Sequence, residues 1–519
     1  MPAARLVLLA MPAARLVLLA LLAAPAACLD FPDCVETGCD PGLVCGADGL
    51  CRAPGGDAGP GPGALRVLST DPAPNSLEGD AELVTVTFSA PMARPSAATM
   101  KVRSAALGAL EGTYAVDGRT VSFAPFRQPP AGDRVEVVVR SLLESASGER
   151  LGQSYTFAFR VESGSASGTL TSIATRVFGR GSFRRIRVAD LGGDGRLDLL
   201  AAASGVVHVI GLWPSGELEA DTLEVGSNLA DFAVADFDQD GILDIFGGGG
   251  PLTARSLPFL GDGRGFSGCC VVTELDVSVH RIETADLDGD GIPDLLGVYR
   301  RFGVAEDAQS EGKNGFIAIN AGNARFTVRD LDSGAPGETA DIAAEDMNGD
   351  GLLDLVLVND QTTRGPGVVT VHFGEGGGRF AAPVRTEATM DGEVVDAFTT
   401  GDFDGDGDVD VVVGARVSET FELLLNDGTG RLEPGLRRPA GVDALTSGDL
   451  NGDGQLDVVG VGAQVYGNVA MGTEFVPIGS GGEGGTEALT VVDIDGDGDV
   501  DVLGGAGGAE TSLTILRND

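Results

Sequence analysis

Lysine is almost missing from this chain of 519 residues: Lys101 and Lys313 are the only two, and Lys plus Arg total 35 against 77 acidic residues. The formal net charge is −42. A polyanion of that size is repelled by nucleic acid and by anionic lipid, which excludes both as partner surfaces. Tryptophan occurs once, as Trp213, and tyrosine four times, so the aromatic platforms of a multivalent lectin are scarce. The three histidines, His208, His280 and His372, fall inside alternating apolar runs, as ordinary sheet positions do. No G-x-S-x-G elbow, H-E-x-x-H or phosphate-binding loop is present. Beyond residue 27 no stretch reaches the roughly 18 apolar residues of a membrane span. Glycine and proline, by contrast, supply 80 and 25 residues, which implies many turns and few long helices. With 43% hydrophobic residues the chain can build a large core, and its length suits two to four domains of roughly 100–200 residues.

Residues 1–27 (MPAARLVLLA MPAARLVLLA LLAAPAA) read as a secretory signal: an arginine, an apolar run, then small residues. The first ten residues recur as residues 11–20, so Met1 and Met11 are both candidate starts. Cys28, after Pro25-Ala26-Ala27, looks like the lipidated cysteine of a bacterial lipoprotein; cleavage after Ala24-Pro25-Ala26 is the other reading. Parity favours lipidation, because acylating one of seven cysteines leaves six that can pair. With Leu29 next, the outer membrane or cell surface is the expected address, and the lipid the only membrane contact; a secreted or periplasmic protein is the alternative. Cys34, Cys39, Cys45 and Cys51 are spaced too widely for a paired zinc motif, so two disulfides are expected, in any of three connectivities. Cys269 and Cys270 are adjacent and form either a vicinal disulfide or a pair of buried thiols. Residues 28–64 thus comprise an anchor region, a Cys-rich knot and the Pro/Gly tether Ala53–Ala64.

Within residues 65–161, the runs Leu83–Phe88, Thr120–Phe123, Arg134–Val139 and Tyr155–Val161 are short, β-rich and punctuated by proline and glycine. They predict a small antiparallel sandwich. The segments DPAPN (71–75), VTFSAPM (86–92) and YTFAFRV (155–161) resemble the bacterial Ig-like domains of surface-layer proteins. That resemblance implies a spacer or a binding module. Residues 162–168 (ESGSASG) read as a flexible linker out of it.

The remainder, 169–519, is a repeat. One nine-residue pattern begins at Asp190, Asp236, Asp286, Asp346, Asp402, Asp449 and Asp493, at spacings of 46, 50, 60, 56, 47 and 44 residues. Short alternating apolar runs flank each copy and match four-stranded blades, so the predicted fold class is all-β, a seven-bladed β-propeller preceded by the Ig-like sandwich. Oxygens at positions 1, 3, 5 and 9 can surround a hard cation of calcium's size, and glycine at position 6 turns the chain sharply enough to converge them. The candidate ligands are Asp190, Asp194 and Asp198; Asp236, Asp238, Asp240 and Asp244; Asp286, Asp288, Asp290 and Asp294; Asp346, Asn348, Asp350 and Asp354; Asp402, Asp404, Asp406 and Asp410; Asp449, Asn451, Asp453 and Asp457; and Asp493, Asp495, Asp497 and Asp501. Position 12 lacks the glutamate of an EF-hand, and β-runs take the place of its helices. The first loop has Gly192 at position 3, so about six good Ca²⁺ sites and one poor one are expected.

These loops and blades resemble the FG-GAP/VCBS repeats of which the integrin α-chain propellers are the best-known members. The resemblance implies calcium in the loops between the first and second strands of each blade. It leads to an exported, calcium-stabilised binding or adhesion protein, non-catalytic, with a protein or glycan ligand at the cell surface. A polysaccharide lyase or hydrolase is the enzyme alternative, favoured by an unexplained Arg, Tyr or carboxylate cluster in a central pocket; an envelope-complex scaffold is the third. Two further expectations follow. The segment Gly168–Phe178 should supply the strand that the last blade lacks. Ligand binding should fall opposite the acidic loops, near the long connections Tyr299–Gly315 and Asn359–Gly367, with Tyr299, Arg300, Arg301, Phe302 and Lys313 as candidates.

Overall fold

Strands dominate the described residues, and no α-helix occurs among them. The computed structural model describes residues 44–45, 51–52 and 65–518, the last span with short internal gaps of which 301–314 is the longest. The signal segment, Cys28, Cys34, Cys39, the tether, Cys269, Cys270, Arg301, Phe302 and Lys313 lie outside the described residues. The chain falls into two compact units, Met1–Gly61 and Pro62–Asp519. In the first unit Val44–Cys45 and Cys51–Arg52 pair antiparallel, with Cys45 opposite Cys51.

The second unit begins with the expected sandwich. One sheet runs Val67–Asp71, Val84–Phe88, Thr120–Pro125, Gly112–Asp117; the other runs Tyr155–Arg160, Arg134–Val139, Met100–Ser104, Gly108–Ala109. Val84, Val86 and Phe88 alternate inward, as period-two patterning requires, and meet Val121, Phe123, Val137 and Phe159 in one core. Arg134–Val139 breaks the alternation, with every residue after Arg134 buried. Its second face carries Glu136, which pairs with Arg103, and Arg103 in turn approaches Asp286 of the repeats. That strand is buried twice because the sheet rests on the repeat domain.

Seven four-stranded antiparallel sheets follow, numbered here as blades 1 to 7: residues 183–223, 229–268, 278–331, 338–391, 395–439, 446–480, and 486–518 together with 170–181. The first strand of each blade touches the first strand of the next, and Phe183–Ala189 touches Thr486–Val492, so the ring closes as a β-propeller. Each seam between blades has its own apolar cluster; Phe183, Ile186, Leu199, Leu503, Leu513 and Ile515 fill the one between blades 7 and 1. This explains the uninterrupted apolar second strands. Asp410–Ala415 is buried along its whole length because both faces of the sheet meet a neighbouring blade.

Closure happens as the sequence implies. Leu170–Gly181 pairs antiparallel with Gly508–Asn518, with Thr175 opposite Thr514 and Arg176 opposite Leu513, and forms the outer strand of blade 7. Two open edges become one paired ladder. The segment 162–168 is not the free linker its composition suggests. Ser163 Oγ donates to the Asp449 carbonyl at 3.0 Å and the Gly164 amide to the Gly498 carbonyl at 2.7 Å, because the loops beneath offer carbonyls at this point.

The closing seam generates a prediction. Leu513→Ala removes a fully buried side chain from the cluster joining blade 7 to blade 1. It should cost about 2–5 kcal/mol and lower the urea midpoint of the whole propeller in one transition. A separate early transition confined to the last blade would contradict a ring that closes through this seam.

Candidate functional site

The acidic nonapeptides each join the first strand of a blade to the second. Glycine at position 6 is indispensable there: from Gly195 to Gly498 all seven have φ between 79° and 97°. That left-handed turn aims the position-6 amide at the position-1 carboxylate in every loop, as from Gly291 to Asp286 at 2.6 Å and from Gly407 to Asp402 at 2.9 Å. The position-9 aspartate receives the position-2 amide in every loop, as from Phe403 to Asp410 at 3.0 Å. In six loops the position-3 side chain also receives the position-5 amide, as from Asp290 to Asp288 at 3.0 Å. The first loop has no such bond, because Gly192 has no side chain to make it.

In four of the seven loops, three of the predicted ligands are gathered closely enough to share a cation. Carboxylate oxygens lie within 4.8 Å of one another in Asp236, Asp238 and Asp244; in Asp286, Asp288 and Asp290; in Asp402, Asp404 and Asp410; and in Asp493, Asp495 and Asp497. Asp236 Oδ1 is buried and accepts no hydrogen bond, a position that suits a cation. The donor set is all oxygen, which fits a hard cation such as calcium.

Burial dominates the electrostatics. It raises Asp354, Asp410, Asp457 and Asp501 to about 7 and Asp294 to about 9, against the pull of the backbone amides that each accepts. It likewise raises Asp286 to about 7, opposed by the Arg103 guanidinium.

Four asparagines escaped the sequence reading. Asn320, Asn426, Asn468 and Asn518 end the third strands of blades 3, 5, 6 and 7, and all are buried. Each donates its backbone amide to the position-9 aspartate of its own blade, at 2.7–2.9 Å. Each side-chain amide donates to a position-2 carbonyl of the preceding blade: Phe237, Met347, Phe403 and Leu450, at 2.6–2.9 Å. The acidic loop is therefore tied to its own third strand and to the next blade. The recurrence of Asn at the end of the third strand was the available signal.

The Ig-like domain sits directly on these loops and is not a detached spacer. Its edge strand donates the Thr156 amide to the Gly351 carbonyl at 2.7 Å, Ser154 Oγ donates to Gly289 at 2.6 Å, and Asn75 Nδ2 to Gly407 at 2.9 Å. Arg127 pairs with Asp190, Gly108 lies against Leu243, Glu78 against Gly454, and the Ala131 carbonyl accepts the Asp493 amide. All seven loops are touched. Arg134 reaches past them to Glu345 at 2.8 Å, at the inner rim of the ring. A cavity of about 110 Å³ lies at this seam, lined in part by Lys101, Arg103, Glu136, Asp236 and Thr284.

At the centre, first strands of blades 1 to 4 carry a charged cluster of the kind that would favour an enzyme. Arg185 meets Asp231 at 3.3 Å and Glu283 at 2.6 Å, Arg187 meets Glu283 at 3.0 Å, and Arg281 meets Asp341 at 3.4 Å. Three arginines face three carboxylates, and every member has a partner of opposite charge. Tyr299, a candidate for ligand binding, is 2% exposed among Phe246, Val279 and Phe316, because the second strand of blade 3 runs on to Arg300 and carries it into the seam with blade 2. It is withdrawn from the candidate surface. The three histidines occupy strands, as expected.

An all-β propeller with acidic loops on one face, covered there by an Ig-like sandwich, is the class of protein these features define. The chain contains FG-GAP-like repeats, matched at residues 286–357, 346–413 and 402–460, and a bacterial Ig-like domain, matched at residues 62–161. Each repeat match starts at the first aspartate of a loop. Such repeats and domains are typical of extracellular interaction modules. No curated protein matches the chain. Among solved structures it is similar to a structural genomics protein of unknown function from Bacteroides thetaiotaomicron VPI-5482, at 14% identity and TM-score 0.34, over 89% of this chain and 100% of that one. YCF48 bound to D1 peptide is similar at 9% identity and TM-score 0.40, over 66% and 97%. A streptogramin B lyase is similar at 12% identity and TM-score 0.39, over 67% and 98%.

The buried carboxylates predict the pH dependence in the presence of chelator. Their folded pKa values stand above the unfolded value of about 3.9, so the stability they contribute is full below that value. It is lost as pH rises through about 7, and through about 9 for Asp294. Melting in EDTA should therefore occur at a higher temperature at pH 5 than at pH 8. A melt that stays level or rises toward pH 8 would contradict the assignment.

Proposed function

We propose that this is an exported, calcium-stabilised binding protein, non-catalytic, that presents the propeller face opposite its Ig-like domain to a protein or glycan at the cell surface. The observation that carries the reading is the coverage of all seven acidic loops by residues 75–164. With that face occupied by the chain itself, a ligand is left the opposite face, where the connections between second and third strands emerge. The longest of these, 301–314 in blade 3, retains Arg301 and Lys313 as candidates on an otherwise acidic protein. A lipid at Cys28 would hold the protein at the outer membrane.

Bound calcium would supply the positive charge that lets clustered, buried carboxylates stay ionised. The chain's part is to hold the oxygens: the position-6 glycine turns them inward, and backbone amides fix positions 1 and 9 in every loop and position 3 in six. Asn348 and Asn451 contribute neutral oxygens and weaken their sites without removing a ligand. For extracellular-type sites with Kd near 10⁻⁴ M, about 1 mM calcium adds roughly 1.4 kcal/mol per site, so six sites add about 8 kcal/mol. That is comparable with the whole stability of many domains. The central ion pairs support a structural role, since each charged group there is already engaged with another.

Chelation should lower the melting temperature by tens of degrees or leave a protease-sensitive chain. Asp290→Ala should cost more in calcium than Asp194→Ala, whose loop already lacks a ligand. Equal melting with and without EDTA would end the calcium reading. A glycan and protein array, probed with and without calcium, tests the binding role, and a variant shortened within 301–314 tests the face. Ligand capture that survives this variant, with melting unchanged, would place the site elsewhere.

A further inference from the structure

We propose that Arg127 of the Ig-like domain takes the place of a cation at the first acidic loop, making that loop a fixed ionic anchor for the domain. The inference rests on the proposed reading of the other six loops as calcium sites, and it concerns the one loop that departs from their pattern. Gly192 deletes the position-3 oxygen, so this loop has one ligand fewer and a smaller charge to neutralise. Arg127 Nη1 lies 2.7 Å from Asp190 Oδ2, and the Asp190 side chain is only 1% exposed. The same carboxylate also holds its own loop: Oδ2 accepts the Gly195 amide at 2.9 Å and Oδ1 the Asp194 amide at 3.1 Å. The guanidinium also lies over the turn, since a Cβ on Gly195 would stand 3.0 Å from Nη2. A permanently charged group with a planar fork therefore occupies the side from which a cation would be held.

The third loop shows what an arginine does where the ligand set is complete. Arg103 stays 3.6 Å from Asp286 and is drawn off by Glu136 at 3.2 Å, and the oxygens of Asp286, Asp288 and Asp290 remain gathered. Arginine contact alone does not convert a loop; the missing oxygen and the close guanidinium do so together. A second tie completes the anchor, since the Asp190 amide donates to the Ala106 carbonyl at 2.8 Å. Blade 1 would thus grip the Ig-like domain without calcium, while the other blades depend on it.

Two measurements on the full chain test this. In excess EDTA, a double-mutant cycle of Arg127→Ala with Asp190→Asn should show coupling: the double variant melts several degrees higher than the sum of the single losses predicts. Additive losses would overturn the anchor. In calcium, equilibrium dialysis should find six ions per chain for the natural sequence and seven for Gly192→Asp combined with Arg127→Gln. Seven ions on the natural chain, or six on that variant, would overturn the substitution. No bound calcium together with intact coupling would end the calcium reading and leave the anchor standing.

Discussion

The crowding of buried carboxylates at one end of the ring is the constraint around which this molecule is organised. Six of the seven position-9 aspartates are fully buried, and burial, with neighbouring carboxylates behind it, raises Asp354, Asp410, Asp457 and Asp501 to about 7 and Asp294 to about 9. A carboxylate so placed must find donors or counter-charge. The backbone amides of position 2 and of the third strand supply the donors, and in doing so join loop, strand and neighbouring blade. What they do not supply is positive charge. On a chain with 77 acidic residues and 35 basic ones, few arginines are available to supply it.

The Ig-like domain follows from the same constraint. One sheet face brings Arg103 down onto the loops and carries Arg134 past them to Glu345, the connection after Thr120–Pro125 brings Arg127 to Asp190, and the edge strand finds in the Gly351 carbonyl the partner that an exposed edge lacks. A domain that could have been a spacer thus becomes part of the propeller's structure. It covers the face of the ring that carries the acidic loops.

Much of this was legible in the sequence. The loops, the blades between them and the strand exchange at the closure all arise from local, repeated patterns: the nine-residue spacing, period-two alternation, and a count of strands one short. The sandwich strands were visible for the same reason. Docking was not visible, because it depends on single residues such as Arg127 and on backbone carbonyls, which leave no periodic trace. Tyr299 was misplaced because a strand that continues past its expected end looks, in sequence, like the start of a loop. The segment 162–168 has the composition of a tether, yet hydrogen bonds to two loops hold it in place. Composition reports what a segment can do alone and says nothing of the surface it lands on.

Hydrogen exchange at the Thr156 and Gly164 amides tests the account most directly, since each donates to a loop carbonyl across the interface, from Gly351 and Gly498. With calcium present both should be strongly protected. With chelator both should lose protection together with the loop amides beneath them, while the Asp190 amide at the arginine anchor keeps its own. Fast exchange at Thr156 and Gly164 in calcium, or protection there that chelation leaves untouched, would contradict a domain seated on cation-ordered loops.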